Sequence, residues 1–407
     1  AMTKVVREAF NQLASRAAKS AGIELDEILD LVVVANPIMH HLFLGIDPTP
    51  LGTAPFTLAT DQTTILRAAD IDLNLHPEAR VCILPCIAGH IGADTAGVIL
   101  SERPDLSEDY VLLVDVGTNA EIVLGNRNRL LAASSPTGPA FEGAQITSGQ
   151  RAAPGAVERV RINPETLEPR FRVIGCDVWS DDPDFAEKSA KVGVSGVCGS
   201  GIIEVVAEMY LAGIIDQDGV IGLVEGKDNS RVILDGRTYS YVLHDGDKTL
   251  RITQTDIRAI QLAKAALHAG IRLLLDYMGI SKIDRIGLAG AFGSHIDVKY
   301  AMVLGLIPDC ELDKVGSVGN AAGTGARIAL LNFASRLEIA EILPKVEKIE
   351  TALEPKFQEY FIEAMALPHK TDPYEALSKV VILPPLKAKA EGDGANDRKR
   401  GRRRAKV

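Results

Sequence analysis

The fold is decided by one stretch, Val111-Leu112-Leu113-Val114-Asp115-Val116-Gly117-Thr118-Asn119-Ala120-Glu121. Its first four residues form an apolar run, which is typical of a strand buried on both faces of a sheet. Gly117 permits a tight turn because it has no Cβ atom, and residues 120–124 resume the apolar pattern. The stretch therefore predicts a strand, a glycine turn and a second strand.

The polar residues of this hairpin match what a nucleotide phosphate requires. Gly117 lets backbone N–H groups approach a phosphate, and the Thr118 hydroxyl can donate to a phosphate oxygen. The Asp115 carboxylate can hold Mg²⁺ through water or orient an attacking water, which makes Asp115 a candidate catalytic residue. Asn119 and Glu121 complete the candidate nucleotide contacts of the turn. A plain hairpin turn is the alternative interpretation.

Three more glycine-rich turns follow a strand or open a helix. A helix N-terminus presents free N–H groups that favour anions. None of the turns has the spacing of a Walker loop or of a dinucleotide fold. Each could serve only close packing, but together they favour nucleotide binding. The candidate ATP contacts in these turns are Gly199-Ser200-Gly201, Gly290-Ala291-Phe292-Gly293 and Gly319-Asn320.

Strands and helices alternate along the rest of the chain. The spacing predicts helices over 3–20, 202–211 and 256–278, a helix from 319 to about 333, and hairpins over 157–174 and 232–243. Asp235-Gly236 is a strong turn signal in the second hairpin, and Thr253, three residues before Asp256, predicts a capping box at the start of the longest helix. This mixture favours an α/β protein. We expect a first lobe at 1–109, a nucleotide-binding lobe with hairpin insertions at 110–340, a strand and helix extension at 341–385, and a disordered basic tail at 386–407.

Composition narrows the class of protein. The net charge is −10, although the tail from Lys387 to Val407 carries nine Lys and Arg against three Asp and Glu. The acidic body makes nucleic acid an unlikely partner, and a solvated end is the favoured interpretation of the tail over an RNA contact. No apolar run is long enough to cross a bilayer. Five cysteines, an odd number, indicate reduced thiols in the cytoplasm rather than a disulfide framework.

The hairpin and the glycine turns together resemble the acetate and sugar kinase/Hsc70/actin (ASKHA) superfamily. The resemblance implies two ribonuclease H-like lobes around an ATP cleft. It implies that residues 115–121 are the second phosphate hairpin and that residues 290–293 lie beside adenosine. Residues 319–325 would follow on the next helix. Residues 199–201 have a weaker assignment to the cleft.

Longer strings resemble the reductive activators of corrinoid proteins, and the likeness runs from about residue 5 to 370. In that family ATP and Mg²⁺ drive return of an electron to Co(II), giving Co(I), in the corrinoid protein of a methyltransferase system. The resemblance implies that corrinoid protein as partner, a cytoplasmic location, a homodimer as one option, and Glu142 as a catalytic cleft residue. The strings are Asn36-Pro37-Ile38-Met39-His40-His41-Leu42-Phe43-Leu44-Gly45-Ile46-Asp47-Pro48, Ser135-Pro136-Thr137-Gly138-Pro139-Ala140-Phe141-Glu142-Gly143-Ala144 and Gln254-Thr255-Asp256-Ile257-Arg258 with Gln261-Leu262-Ala263-Lys264.

The sequence departs from the family pattern in two places. Family members carry a 2Fe–2S ferredoxin domain at the N-terminus, and these 407 residues contain no cysteine cluster for it. The first phosphate hairpin of the superfamily, expected near the start of the first lobe, is also not found. We therefore expect a truncated first lobe, weak or undetectable ATP affinity, and no activation by this chain alone. Low-micromolar ATP binding in calorimetry would contradict this expectation.

Two other classes of function are compatible with the sequence. The same fold supports small-molecule kinases, which would move the γ-phosphate to a metabolite. It also supports docking or assembly modules that need nucleotide but perform no catalysis. His40 and His41 invite a role as cobalt ligands, but core histidines are the favoured interpretation because Leu-Phe-Leu follows them.

Overall fold

The computed structural model describes residues 1–293 and 295–385, and across these residues the chain is an α/β protein with four β-sheets. The α/β class predicted from the sequence is confirmed. The predicted basic tail at 386–407 lies outside the described residues. Within those described, every helix is too short or too polar to span a bilayer.

The N-terminal region contains a three-stranded sheet of order β1-β3-β2, in which β1 pairs parallel with β3 and β2 antiparallel. Val6, Phe10 and Ala14 recur at helical spacing and pack on its apolar cluster. The first helix ends at Gly22, whose φ of 69° is the left-handed conformation that favours glycine. The elements are α1 (Met2–Ala21), β1 (Asp30–Val33), α2 (Pro37–Leu44), β2 (Thr64–Arg67), β3 (Arg80–Ile83) and α3 (Ala93–Glu102).

The next region opens with the predicted hairpin and contains two small sheets. The hairpins predicted over 157–174 and 232–243 are present, in sheets of order β8-β7-β9 and β10-β11-β12. The elements are β4 (Val111–Val116), β5 (Ala120–Asn126), β6 (Arg129–Ser135), β7 (Ala156–Ile162), β8 (Pro169–Val173), α4 (Phe185–Ser189), β9 (Gly196–Val197), α5 (Gly199–Leu211), β10 (Val232–Asp235), β11 (Thr238–His244) and β12 (Leu250–Thr253).

The C-terminal region contributes the long helix and three more strands. Thr253 accepts from the Asp256 N–H and Asp256 accepts from the Thr253 N–H, so the predicted capping box starts the long helix. The helix predicted to reach about 333 ends at Leu331, because Asn332 caps a new helix. The elements are α6 (Gln254–Met278), β13 (Arg285–Ala289), α7 (Gly290–Gly293), α8 (Val298–Leu304), β14 (Val315–Gly319), α9 (Ala321–Leu331), α10 (Phe333–Ile342), β15 (Val346–Ile349), α11 (Phe357–Glu363) and α12 (Glu375–Ser378).

A six-stranded sheet of order β14-β13-β4-β5-β6-β15 forms the centre of the molecule. Strands β4, β5 and β6 are antiparallel neighbours, β13 runs parallel to β4 and β14, and β15 runs parallel to β6. One face, which includes Leu112 and Val114, packs on α6. The other face, which includes Leu113 and Val123, packs on α3 and α9. The first region therefore covers one face of the central sheet.

Candidate functional site

The carboxyl edge of the central sheet brings the predicted turns together. Asp115 on β4 is the register partner of Ala289 on β13, which in turn pairs with Gly319 on β14. Because these three strands are parallel neighbours, the turns that follow them leave the sheet at one edge. The turns at 116–119 and 290–293 and the start of α9 are thus adjacent, as the ATP cleft hypothesis requires.

The turn of the β4–β5 hairpin is held by the segment that follows β6. The Gly117 N–H donates to the Asn119 carbonyl at 3.0 Å, and the Thr137 hydroxyl donates to the Gly117 carbonyl at 2.8 Å. The Thr118 hydroxyl donates to Glu142 Oε1 at 2.7 Å. Thr118, Asn119 and Glu142 are exposed. The structure therefore places the two predicted sites, the hairpin turn and Glu142, in direct contact.

Gly290 lies directly against the Asp115 carboxylate. A Cβ atom added to Gly290 would lie 2.4 Å from Asp115 Oδ1, and its φ of +83° disfavours any residue with a side chain. Glycine at this position lets the β13 turn approach the carboxylate. The side chains of Ala291 and Phe292, both predicted ATP contacts, lie outside the described part of the chain.

Three carboxylates face the same partly buried space between the central sheet and α3. Asp115 and Glu121 are a cross-strand pair, and they continue the rows of Leu113 and Val123 on the face that packs on α3. Asp94 lies in the first turn of α3. We call Asp94, Asp115 and Glu121 the acidic cluster.

Burial and mutual repulsion make the acidic cluster hard to ionise. Burial, followed by the charge of Asp94, raises the pKa of Asp115 to about 6. Burial, followed by the charges of Asp94 and Asp115, raises the pKa of Glu121 to about 9. Burial also raises the pKa of Asp94 above its usual range. Low-dielectric surroundings and like charges both disfavour the ionised form, so the cluster favours an incoming cation.

The donor set of the acidic cluster suits Mg²⁺, which prefers oxygen ligands and keeps several waters. Among the residues that the structure describes, the compact group of possible ligands is a different one, with ligand atoms all within 4.8 Å of one another. A cation held through water does not require ligand atoms that close together, and Mg²⁺ bound through water at Asp115 stays a prediction. Sequence reasoning missed Asp94, although an acid just after Gly92 at a helix start was a usable signal.

The turn at 199–201 starts α5 and packs against the neighbouring hairpin. A Cβ atom on Gly201 would lie 2.3 Å from the Val157 carbonyl oxygen. Ser200 is buried, and its hydroxyl lies 3.4 Å from Cys198 Sγ. Close packing accounts for Gly201 and the burial of Ser200. Contact of Gly199, Ser200 and Gly201 with ATP stays a prediction.

The turn at 319–325 joins the first region to the central sheet. Asn320 Oδ1 accepts from the Gly323 N–H at 2.9 Å and so caps α9. A Cβ atom on Gly325 would lie 2.0 Å from the Gly97 carbonyl oxygen on α3. The glycines let α9 and α3 cross at very close range. Gly319 and Asn320 themselves lie at the carboxyl edge.

The paired histidines of α2 are part of the core. His40 and His41 are buried, at 0% and 1% exposure. His41 Nδ1 lies 2.9 Å from the Pro37 carbonyl, and His41 Nε2 accepts from the Ala59 N–H at 3.0 Å. Burial, followed by the charge of His41, lowers the pKa of His40 to about 4. This geometry agrees with the core interpretation.

Nearly all of the described residues match known protein families. The family described as the C-terminal domain of RACo, the ASKHA domain, matches residues 109–378, and the RACo middle region matches residues 1–105. The chain belongs to the RACo family. The ASKHA superfamily predicted from the hairpin and the glycine turns is confirmed. The RACo middle region supplies Asp94, and the ASKHA domain supplies Asp115 and Glu121.

Two known proteins and one solved structure are similar to this RACo-family chain. It is 34% identical to the corrinoid activation enzyme RamQ of Eubacterium limosum, covering 88% of this chain and 59% of that protein. It is 25% identical to the [Co(II) methylated amine-specific corrinoid protein] reductase of Methanosarcina barkeri, covering 94% and 71%. A solved reductive activator for corrinoid, iron–sulfur protein superposes with a TM-score of 0.77 at 33% identity, covering 91% of this chain and 57% of that one. The chain thus spans less than two thirds of the length of RamQ and of the solved activator.

Proposed function

We propose that this chain is the ATPase and partner-docking part of an activator that returns a corrinoid protein from Co(II) to Co(I). The observation that carries the proposal is the acidic cluster at the carboxyl edge, beside the glycine turns, in a chain of the RACo family. The relatives, a corrinoid activation enzyme and a corrinoid protein reductase, support the choice of a corrinoid protein as partner. We place the protein in the cytoplasm and include a homodimer in the proposal.

The carboxyl edge offers groups that fit ATP and Mg²⁺. Exposed hydroxyl and amide groups lie on the hairpin turn, and Gly290 brings the backbone of the β13 turn close to Asp115. When bound, ATP would supply a phosphoanhydride bond whose hydrolysis can drive a conformational change. We assign ATP contacts to Asp115, Gly117, Thr118, Asn119, Glu121, Gly199, Ser200, Gly201, Gly290, Ala291, Phe292, Gly293, Gly319 and Asn320, and Mg²⁺ through water to Asp115.

The carboxyl groups would have different roles because their pKa values differ. With a pKa of about 6, Asp115 is ionised in roughly nine of ten molecules at pH 7 and can orient a water for attack. With a pKa of about 9, Glu121 keeps its proton at pH 7 and can donate a hydrogen bond. Glu142 accepts from the Thr118 hydroxyl and so fixes the direction of that side chain.

Asp94 would couple the nucleotide site to the position of the first region. It comes from α3, whereas Asp115 and Glu121 come from the central sheet. Its charge disfavours ionisation of both. Any change in the approach of α3 to the sheet therefore changes the charge state of the cluster. This coupling would let hydrolysis at the cluster change the position of the first region relative to the central sheet.

The test follows cobalt reduction directly. A Co(II) corrinoid protein of a methyltransferase system is mixed with the full-length activator of which this chain is part and a low-potential reductant, and the Co(I) absorbance is recorded with and without MgATP. We expect ATP-dependent formation of Co(I), lost in Asp115→Asn and kept in Glu225→Gln, an exposed carboxylate outside the site. Reduction that does not depend on ATP would refute the proposal. Labelled γ-phosphate in a metabolite would favour the kinase alternative, and filaments in sedimentation the assembly module.

A further inference from the structure

A second cluster of possible ligands lies at α6, the helix that packs on the face of the central sheet opposite α3. His268 on α6 meets His369 and Asp372, which lie in the segment between α11 and α12. The two imidazole rings stack with centroids 4.8 Å apart. We propose that His268, His369 and Asp372 bind one divalent d-block cation of the Zn²⁺ class, which clamps this segment onto α6.

The distances in the cluster fit one small cation. Asp372 Oδ2 lies 3.7 Å from His268 Nε2 and 3.6 Å from His369 Nδ1. The ligand atoms of all three residues lie within 4.8 Å of one another. Two ligands bound tetrahedrally to zinc at its usual bond lengths are about 3.3 Å apart. The Asp372 oxygen therefore has to move by only a few tenths of an ångström, whereas the two histidine nitrogens, within 4.8 Å of each other, have to approach by up to about 1.5 Å.

The surroundings orient the histidines as ligands. His268 Nδ1 lies 3.1 Å from the Gly305 carbonyl oxygen, so the Nδ1–H donates and the Nε2 lone pair faces Asp372. A backbone carbonyl on the other ring nitrogen is a usual partner of metal-binding histidines. His369 Nδ1 accepts from the Asp372 N–H at 3.0 Å and the Thr371 N–H at 3.3 Å, contacts that a cation would replace.

The two histidines of the cluster are buried, whereas its carboxylate is partly exposed. The side chains of His268 and His369 are 4% and 5% exposed, whereas that of Asp372 is 35% exposed. The carboxylate side gives a cation a way in and leaves room for water as a further ligand. Burial, the largest cause, lowers the pKa of both histidines, to about 4 for His369. Both rings are therefore neutral at pH 7 and able to bind metal.

Two cationic side chains lie near the cluster, and each is bonded to other groups. Lys264 is fully buried and donates to the Ala366 and Pro368 carbonyl oxygens, and burial lowers its pKa well below the ordinary value. Arg272 lies 3.8 Å from Asp276, with which it forms an ion pair. Two neutral imidazoles and one carboxylate suit zinc and its d-block neighbours rather than Mg²⁺ or Ca²⁺.

The clamp would join two parts of the chain that are far apart in sequence. Other contacts already hold the same segment down. Gln261 donates to the Met365 carbonyl, 104 residues away, and Tyr374 donates to the Ile307 carbonyl. A cation that binds the folded chain better than the unfolded one stabilises it by mass action. The site is therefore structural, and it is independent of the proposed ATP chemistry.

The test uses the full 407-residue chain freed of metal by chelator dialysis. Titration with Zn²⁺ in a calorimeter should show one site per chain and a higher melting temperature, and Co²⁺ should give visible absorption bands of nitrogen coordination. His369→Ala and Asp372→Asn should lower the affinity by about 100-fold or more, since each removes a ligand. His76→Ala, in the N-terminal region, should bind as the original chain does.

Two outcomes would overturn the proposal. One is a metal-free chain that takes up no Zn²⁺ at micromolar concentration. The other is unchanged affinity in both ligand variants. Asp372→Asn keeps the test informative if His369→Ala fails to fold, because Asp372 is partly exposed and the change preserves its shape. Circular dichroism of each variant confirms that it is folded before titration.

Discussion

Replacing Glu121 by Gln should remove a pH dependence of stability that the acidic cluster imposes. An unfolded glutamate loses its proton near pH 4.5, whereas folded Glu121 holds it to about pH 9. Between these values the folded chain binds one more proton than the unfolded chain. The free energy of unfolding therefore falls as the pH rises through this window. Below about pH 4.5 both states bind the proton, so the contribution of Glu121 to stability is complete and no longer depends on pH.

The size of the effect follows from the linkage relation. One proton gives about 1.4 kcal/mol per pH unit, so Glu121 contributes a loss of about 2 to 3 kcal/mol between pH 6 and pH 8. This window lies well inside the interval between the two pKa values. It also lies at and above the pKa of Asp115, about 6, so that Asp115 adds little to the slope.

The measurement is urea unfolding at pH 6, 7 and 8, followed by circular dichroism without added metal. Glu121→Gln should reduce the loss of stability between pH 6 and 8 by the amount just given. Glu142→Gln, which changes an exposed carboxylate of the same site, should keep the slope of the original chain. Equal slopes for the original chain and Glu121→Gln would refute the account of the cluster.

Two glycine substitutions test the close approaches at the carboxyl edge and between the helices. Gly290→Ala puts a Cβ atom 2.4 Å from Asp115 Oδ1 at a positive φ, so urea unfolding should show a loss of about 1 to 3 kcal/mol. Gly325→Ala puts a Cβ atom 2.0 Å from the Gly97 carbonyl and should cost at least as much, read as a lower melting temperature. Gly316→Ala, which meets nothing within 4 Å, should change stability by less than about 0.5 kcal/mol. A neutral result at Gly325 would contradict the close crossing of α3 and α9.

Local patterns predicted the parts of the fold that depend on neighbours in sequence. The apolar run before Asp115, the Asp-Gly turn at 235–236 and the capping box at Thr253 each predicted an element that the structure contains. Strand β14 was missed because it is an edge of the central sheet, and β15, the other edge, was predicted only as a strand somewhere within 341–385. Edge strands carry exposed and polar residues, such as Glu347 and Lys348, and lack a continuous apolar run.

The acidic cluster shows where sequence reasoning ends. Asp115 and Glu121 were found because they flank one glycine turn, and their shared face follows from strand alternation. Asp94 was missed because it lies on α3, outside the hairpin, and only the packing of α3 on the central sheet brings it to the cluster. The His268, His369 and Asp372 cluster was missed for the same reason, since about 100 residues separate its two parts.

The crossing of α3 with α9 has a consequence for synthesis on the ribosome. Arg103, just after α3, bonds to Glu338 across 235 residues, and Asp30 on β1 bonds to Arg336 across 306 residues. At ~5–20 residues per second, the second partner of each pair emerges about 12 to 60 s after the first. During this time the N-terminal sheet lacks its contacts with α9 and α10. A chaperone that shields nascent apolar surface should therefore raise the yield of folded chain, whereas truncation before α9 should leave an aggregating product.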